Sequence, residues 1–214
     1  MPRPVEPSAP LVAAATAAAA GPSLLAYNVS PSPTFLNQAL ALALWGAFVM
    51  LSLAAAGATS WRTLARGVAA PGLALCLLLM AAVLSWGLGS LPAAIALSSI
   101  GLLLAAMLLM LAGAAARDSG AAEPLFVAFC AGWLVAGVLN AAIGAVQVFA
   151  PWLPDGEWIA RSGLAGRAVG NLRQPNHLSS LLLWAAIAVI PLLELRRVRR
   201  GVGWALFALM IFAV

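Results

Sequence analysis

The sequence predicts an all-α fold, a polytopic transmembrane helical bundle of about seven helices with the last one truncated. Three observations carry this reading. Of 214 residues, 64% are hydrophobic and only 8% are charged, and the mean hydropathy is +1.04, far from the balance of a soluble domain. The apolar runs recur at lengths near the roughly 20 residues that a helix needs to cross a hydrocarbon core of about 30 Å. Finally, the formal charge of +5 comes from eleven arginines and no lysine, set in short clusters between those runs. Such a distribution encodes orientation in a bilayer and gives no reason to expect nucleic acid as a partner. The 214 residues read as one transmembrane domain with a polar loop over 150–177.

Cutting at charges, prolines and glycines gives the elements in order. The first segment, about Leu11 to Ala26, is alanine-rich and follows Arg3, so it reads either as a retained helix or as a signal peptide; retention is favoured. Tyr27 to Thr34 carries Pro31 and Pro33, which keep the backbone extended, and reads as a short external loop. A second helix covers about Phe35 to Ala56, followed by a loop with Trp61, Arg62 and Arg66. A third covers about Val68 to Leu88, and Gly89-Ser-Leu-Pro92 turns the chain. The fourth runs from about Ala93 to Ala115 and ends at Arg117 and Asp118. The fifth follows Pro124, well suited to a first turn, and continues to about Phe149. After the polar loop, a sixth helix is expected over Leu178 to about Leu195, ahead of the cluster Arg196, Arg197, Arg199 and Arg200. The final run, Trp204 to Val214, has 11 residues and is too short to span, so the chain is expected to be part of a longer protein. Cys76 and Cys130 each lie inside an apolar run, where a thiol behaves as a small hydrophobe; no disulfide, metal or cofactor is expected.

Arginine placement tests this threading. Arg3, Arg62, Arg66, Arg117, Arg196, Arg197, Arg199 and Arg200 fall on one side, and Arg161, Arg167 and Arg173 on the other. The positive-inside rule then puts the N-terminus in the cytoplasm and residues 150–177 outside. Three arginines placed against that preference point to an anionic partner.

The candidate site is Arg167-Ala-Val-Gly-Asn-Leu-Arg-Gln-Pro-Asn-His177, where charge, glycine, proline, amides and the sole histidine crowd together beside an apolar run. Arg167 and Arg173 are six residues apart with Gly170-Asn171 between them, a spacing that permits both guanidiniums to point at one centre. Arginine suits phosphate because its planar fork donates two parallel hydrogen bonds and keeps its charge. The free N–H groups of the sixth helix would add a positive dipole end. The bland alternative is a loop whose arginines meet lipid phosphates while Asn176 or Ser179 caps the helix. His177 reads either as a capping or solvated residue or as a general base. In the fifth helix Asn140 and Gln147 share a face with Gly144, while Gly137, Ala141 and Ala145 form a small-residue stripe for close helix contact. Asn140 fits interhelical hydrogen bonding, whereas Gln147 sits at the mouth leading to the arginines. Trp152 and Trp158 suit the headgroup region, and Asp155 and Glu157 read as solvated turn residues in preference to metal ligands.

Gly170-Asn-Leu-Arg-Gln-Pro-Asn-His-Leu-Ser179, preceded by Arg167 and followed by an apolar helix, resembles the signature of protein glycosylation ligases related to pilin oligosaccharyltransferases, within the O-antigen ligase and polymerase superfamily. Pro31-Ser-Pro-Thr-Phe35 resembles that family's Pro-x-Pro-x-Phe stretch. The resemblance implies a bacterial inner-membrane enzyme that moves an oligosaccharide from undecaprenyl diphosphate to a protein hydroxyl, such as one on pilin, at the periplasmic face and without a metal. It implies that Arg167 and Arg173 hold the diphosphate and that Gln174, Asn176 and His177 shape the site, with Gln174 and His177 as the catalytic candidates and Asn176 as a substrate-binding one; Gln147 joins the substrate-binding candidates by its position at the mouth. Members of the family are about a dozen helices long and carry an essential histidine in a later periplasmic loop; a chain without that loop is expected to transfer no glycan alone. Transfer to lipid A core, polysaccharide polymerisation, and a lipid-linked glycan transporter or binding subunit remain the alternatives.

Overall fold

The computed structural model describes residues 6–26, 35–57, 67–164 and 166–214. It contains α1 (Ala9–Leu24), α2 (Phe35–Ala56), α3 (Ala69–Leu88), α4 (Ala93–Asp118), α5 (Ala122–Phe149), α6 (Pro175–Glu194) and α7 (Arg200–Ala213), with no strand among the described residues. The helices α2 to α6 are long and apolar enough to cross a membrane, while α1 and α7 are shorter, so the protein is a polytopic helical membrane protein. Arg3, the loop 27–34, Trp61, Arg62 and Arg66 lie outside the described residues.

Two helices start earlier than the sequence predicts. Proline occupies the first helical position of α6, where its missing N–H would have had no partner and its ring already sets φ, so Pro175, Asn176 and His177 belong to the helix and not to the loop before it. Gln174 is the N-cap residue and no side chain caps the turn. Asn176 and Ser179, the expected caps, do not serve; the Ser179 hydroxyl donates instead to the carbonyl of Val214 at 3.0 Å. The last helix, expected from Trp204, begins at Arg200 and takes in Gly201 and Gly203. Gly203 is there for packing: a Cβ on it would lie 2.2 Å from Leu193 Cδ2 in α6. The reversal between the two helices is made at Arg196, at φ +54, with Arg197 N–H donating to Leu192 O at 2.8 Å and Arg196 N–H to Leu193 O at 3.0 Å.

The contacts divide the chain into two compact units. Residues 1–48 and 124–214 form the first, built on α5 and α6. Between helices in lipid, association rests on close packing and internal hydrogen bonds, because the tails are as apolar as the side chains. Small residues allow that approach here. A Cβ on Gly132 would lie 2.6 Å from the carbonyl oxygen of Ala15 in α1, and one on Gly137 would lie 2.3 Å from Ala185 Cβ in α6. Ala141, Leu178, Leu182, Ala185, Ala186 and Met210 form one core; Ala19, Ala20 and Ala136 form another, flanked by Leu24, Trp45 and Trp133. The expected small-residue stripe holds at Gly137 and Ala141, whereas Ala145 is exposed and Gly144 takes the close approach, against Ala168.

Residues 49–123 form the second unit, with α3 and α4 packed as a hairpin through the turn at Gly89 to Pro92. Their ends meet where the guanidinium of Arg117 lies over Gly67. No residue of α3 is buried and its surface is leucine, methionine and valine. Lipid is the solvent that such a surface needs.

Candidate functional site

The polar loop between α5 and α6 is held from inside by two amides. Gln147, buried near the end of α5, donates from Nε2 to Ala160 O at 2.6 Å and to Gly170 O at 3.2 Å, and its Oε1 accepts from the N–H of Val169 at 2.9 Å and of Gly170 at 2.8 Å. A primary amide has two donors and two acceptor sites, so none is left for a ligand. Gln147, expected to bind substrate, therefore clasps the loop. Asn171, also buried, donates to Leu24 O at the end of α1 (2.6 Å) and to Trp158 O (2.9 Å), and accepts from Ala160 N–H (2.9 Å). The clasp is possible because Gly170 turns the chain at φ +61, and a Cβ there would press on Leu178 at 3.2 Å.

The outer part of the same loop is a turn. Asp155 Oδ1 accepts from the backbone N–H groups of Glu157 (2.9 Å), Trp158 (2.9 Å) and Ile159 (3.2 Å), with Gly156 at φ +91. The hydrogen bonds from Ile159 and Trp158, then that from Glu157, hold this exposed carboxyl below its usual range. Trp152 and Trp158 are among the most exposed aromatic side chains described. Arg161 folds back on the turn, its Nε donating to Pro154 O at 3.2 Å.

The first turn of α6 separates two cavities, and the two motif arginines line different ones. The first, of about 330 Å³, has Arg167, Asn176 and Ser179 at its polar end and walls of Ala141, Gly144, Val148, Leu178, Leu182 and Phe212 among others. The second, of about 520 Å³, is lined by Arg173, Gln174, His177, Asn37, Gln38 and the rings of Trp45 and Trp133, with parts of α1. A shared centre for Arg167 and Arg173 is thus not what the six-residue spacing produces. The cause is local: Arg173 adopts the left-handed conformation at φ +59, and its Nη2 donates to the carbonyl of Ala26 just past α1. Arg167 is exposed and its guanidinium makes no hydrogen bond among the described residues. The N–H groups of Asn176 and His177 have no intrahelical acceptor in the first turn. A cationic fork and a helix N-terminus therefore border one apolar cavity.

Asn140 lies between the cavities, fully buried, donating from Nδ2 to Ser23 Oγ and to Ala136 O, both at 2.9 Å. Because Ser23 already donates its own proton to Ala20 O at 2.9 Å, the amide nitrogen must face it, which leaves Asn140 Oδ1 without a partner. Asn140 thus makes the interhelical bond that its position in an apolar helix implies. Asn171 in its structural role, Ser23, and the Asn37-Gln38 pair were not singled out from the sequence. Two amides in succession opening an apolar helix are a signal that was present for the last of these.

A family model described as protein glycosylation ligase matches residues 168–193, from the loop's last turn through almost all of α6, so this stretch is similar to that family. No curated protein and no solved structure matches the chain.

Proposed function

We propose that this chain carries the donor-binding part of a membrane ligase that transfers an undecaprenyl-diphosphate-linked oligosaccharide to a protein hydroxyl at the periplasmic face of the bacterial inner membrane. The observation that carries the reading is the placement of Arg167. An exposed arginine with no hydrogen-bond partner among the described residues stands beside the free N–H end of α6 and at the polar end of an apolar cavity, an arrangement suited to a diphosphate attached to a hydrocarbon chain. The match over residues 168–193 supports the reaction class. In that reaction an acceptor oxygen forms a bond to the anomeric carbon as the carbon–oxygen bond to the diphosphate breaks. The leaving group takes the electron pair, the hydroxyl proton passes to a base, and Arg167 would stabilise the charge that grows on the diphosphate. Arg173, Gln174, Asn176 and His177 surround the same helix turn and would shape the site, with Gln147 and Asn171 fixing the loop that presents them.

Binding of undecaprenyl diphosphate to the full chain in nanodiscs tests this. Arg167→Ala is expected to weaken it by about 1.5 to 3 kcal/mol, the range for hydrogen bonds to charged groups. Arg167→Lys should rescue it poorly, since a point charge lacks the fork. Unchanged binding in Arg167→Ala would overturn the assignment.

A further inference from the structure

Between the end of α5 and Arg161 the chain exposes more aromatic surface than a loop in water needs. Phe149, Trp152, Leu153 and Trp158 are 70%, 76%, 59% and 81% exposed, and these two indoles are the most exposed of the described tryptophans. Single apolar side chains on a surface are ordinary, but a concentration of large ones marks a contact. The backbone beneath them is self-sufficient. The N–H groups of Leu153, Gly156, Glu157, Trp158, Ile159 and Ala160 all have acceptors within the protein, and Pro151 and Pro154 have no N–H to satisfy. Trp158 is bonded at both backbone groups, its N–H to Asp155 and its carbonyl from Asn171, so its exposed ring stands on a fixed peptide. In water such bonding is optional because solvent supplies partners; at the edge of hydrocarbon the chain must supply them itself. Two observations identify the medium. Trp152 comes three residues after Phe149, the last residue of the membrane-crossing helix α5, so the exposed apolar surface continues one that already faces lipid. Residues 150–167 also carry two acids, Asp155 and Glu157, and two arginines, Arg161 and Arg167, so the segment has no net charge to draw in an acidic or a basic partner. Tryptophan, an apolar ring with one N–H, is the residue that concentrates at headgroup level.

We propose that the turn over residues 152–159 is a membrane-seating surface, with the indoles of Trp152 and Trp158 lodged in the headgroup boundary of the same bilayer that the helices cross. Asn171 accepts from the N–H of Ala160 and donates to Trp158 O, and Gln147 joins Ala160 to Gly170, so the seated turn and the motif segment are one hydrogen-bonded piece. Seating therefore fixes the height of residues 167–173 at the membrane surface, whatever those residues bind, and it stands apart from the donor reading above.

The full chain carrying fluorotryptophan, in vesicles of neutral phosphatidylcholine, gives a fluorine resonance for each indole. Trp152→Phe and Trp158→Phe assign the two of interest while keeping an aromatic ring, and Trp184→Phe assigns a control, since Trp184 is exposed near the middle of α6. Three paramagnets are compared: lipid spin-labelled near the headgroup, lipid labelled at the end of its chain, and a water-soluble chelate. The resonances of Trp152 and Trp158 are expected to broaden most with the headgroup label and that of Trp184 with the chain-end label, at low and at high salt alike. Stronger broadening of Trp152 and Trp158 by the chelate than by either lipid label would place the turn in water. No broadening of these two by any of the three would mean that protein covers them, a second copy of this chain or another partner. Lipid broadening that appears only in anionic vesicles and vanishes with salt would make the contact one of charge. Each of these three results overturns the seating surface.

Discussion

Gln147 is a side chain whose loss would be felt by four backbone groups at once. Replacing it with leucine leaves the N–H of Val169 and Gly170 and the carbonyl of Ala160 buried without partners, each at about 1 to 3 kcal/mol, and leaves the Gly170 carbonyl with only the Arg173 N–H at 3.3 Å. Gln147→Leu is therefore expected to free the motif segment, seen as fast hydrogen exchange over residues 160–173 with helix content unchanged. Gln147→Glu should be nearly as damaging, since an oxygen would then face two carbonyls. The outer turn depends on pH instead. Asp155 has its carboxyl held below the usual range, so the stabilisation it gives is complete above the unfolded value of about 3.9 and is lost as pH falls through the lowered folded value. Exchange of the Trp158 and Ile159 amides should rise in that acid window, and Asp155→Asn should remove the pH dependence. At this scale the sequence showed which residues crowd together but not what they face. Whether Gln147 meets a ligand or a backbone depends on the path of the loop, and the parting of Arg167 from Arg173 depends on one left-handed φ that no spacing rule contains.

Helices were the most legible level, because proline, glycine and arginine mark their ends chemically. Pro92 before α4 and Gly89 after α3 stand at the expected boundaries. The starts of α6 and α7 came out late because polar residues in a first turn read as loop, although a helix N-terminus tolerates proline and exposed polar groups. Packing partners were less visible. Gly137 was recognised as a contact residue, but nothing in the order of residues says that Gly132 faces α1, since a glycine in an apolar run is equally compatible with lipid. That position is the more demanding of the two, as a Cβ there would meet the backbone of Ala15, which cannot rotate away. Gly132→Val is expected to cost about 1 to 3 kcal/mol, the usual penalty of overpacking, and to separate α1 from α5. Because Leu24 O and Ala26 O at the end of α1 accept from Asn171 and Arg173, the same change should loosen the loop, measurable as a fall in unfolding temperature together with weaker lipid binding.

For the molecule as a whole, the side of the membrane reached by each polar end decides whether the site can meet a periplasmic substrate. Helices α5 and α6, with 28 and 20 residues, are about 42 and 30 Å long at 1.5 Å per residue, enough for each to cross a core of about 30 Å. With α6 across the core, we expect the loop before it to lie on the side opposite the cluster Arg196 to Arg200 that follows it. That inference does not depend on whether α1, with its 16 residues, crosses. The choice of side rests on charge: the four arginines between residues 196 and 200 form the densest basic cluster in the chain, and such clusters are retained in the cytoplasm. We expect a reporter inserted after Val198 to behave as cytoplasmic and one inserted at Gly163, in the exposed part of the loop, as periplasmic. The same side for both would mean that α6 does not span. The reverse pattern would place Arg167 and both cavities in the cytoplasm, where a ligase acting on periplasmic acceptors could not use them.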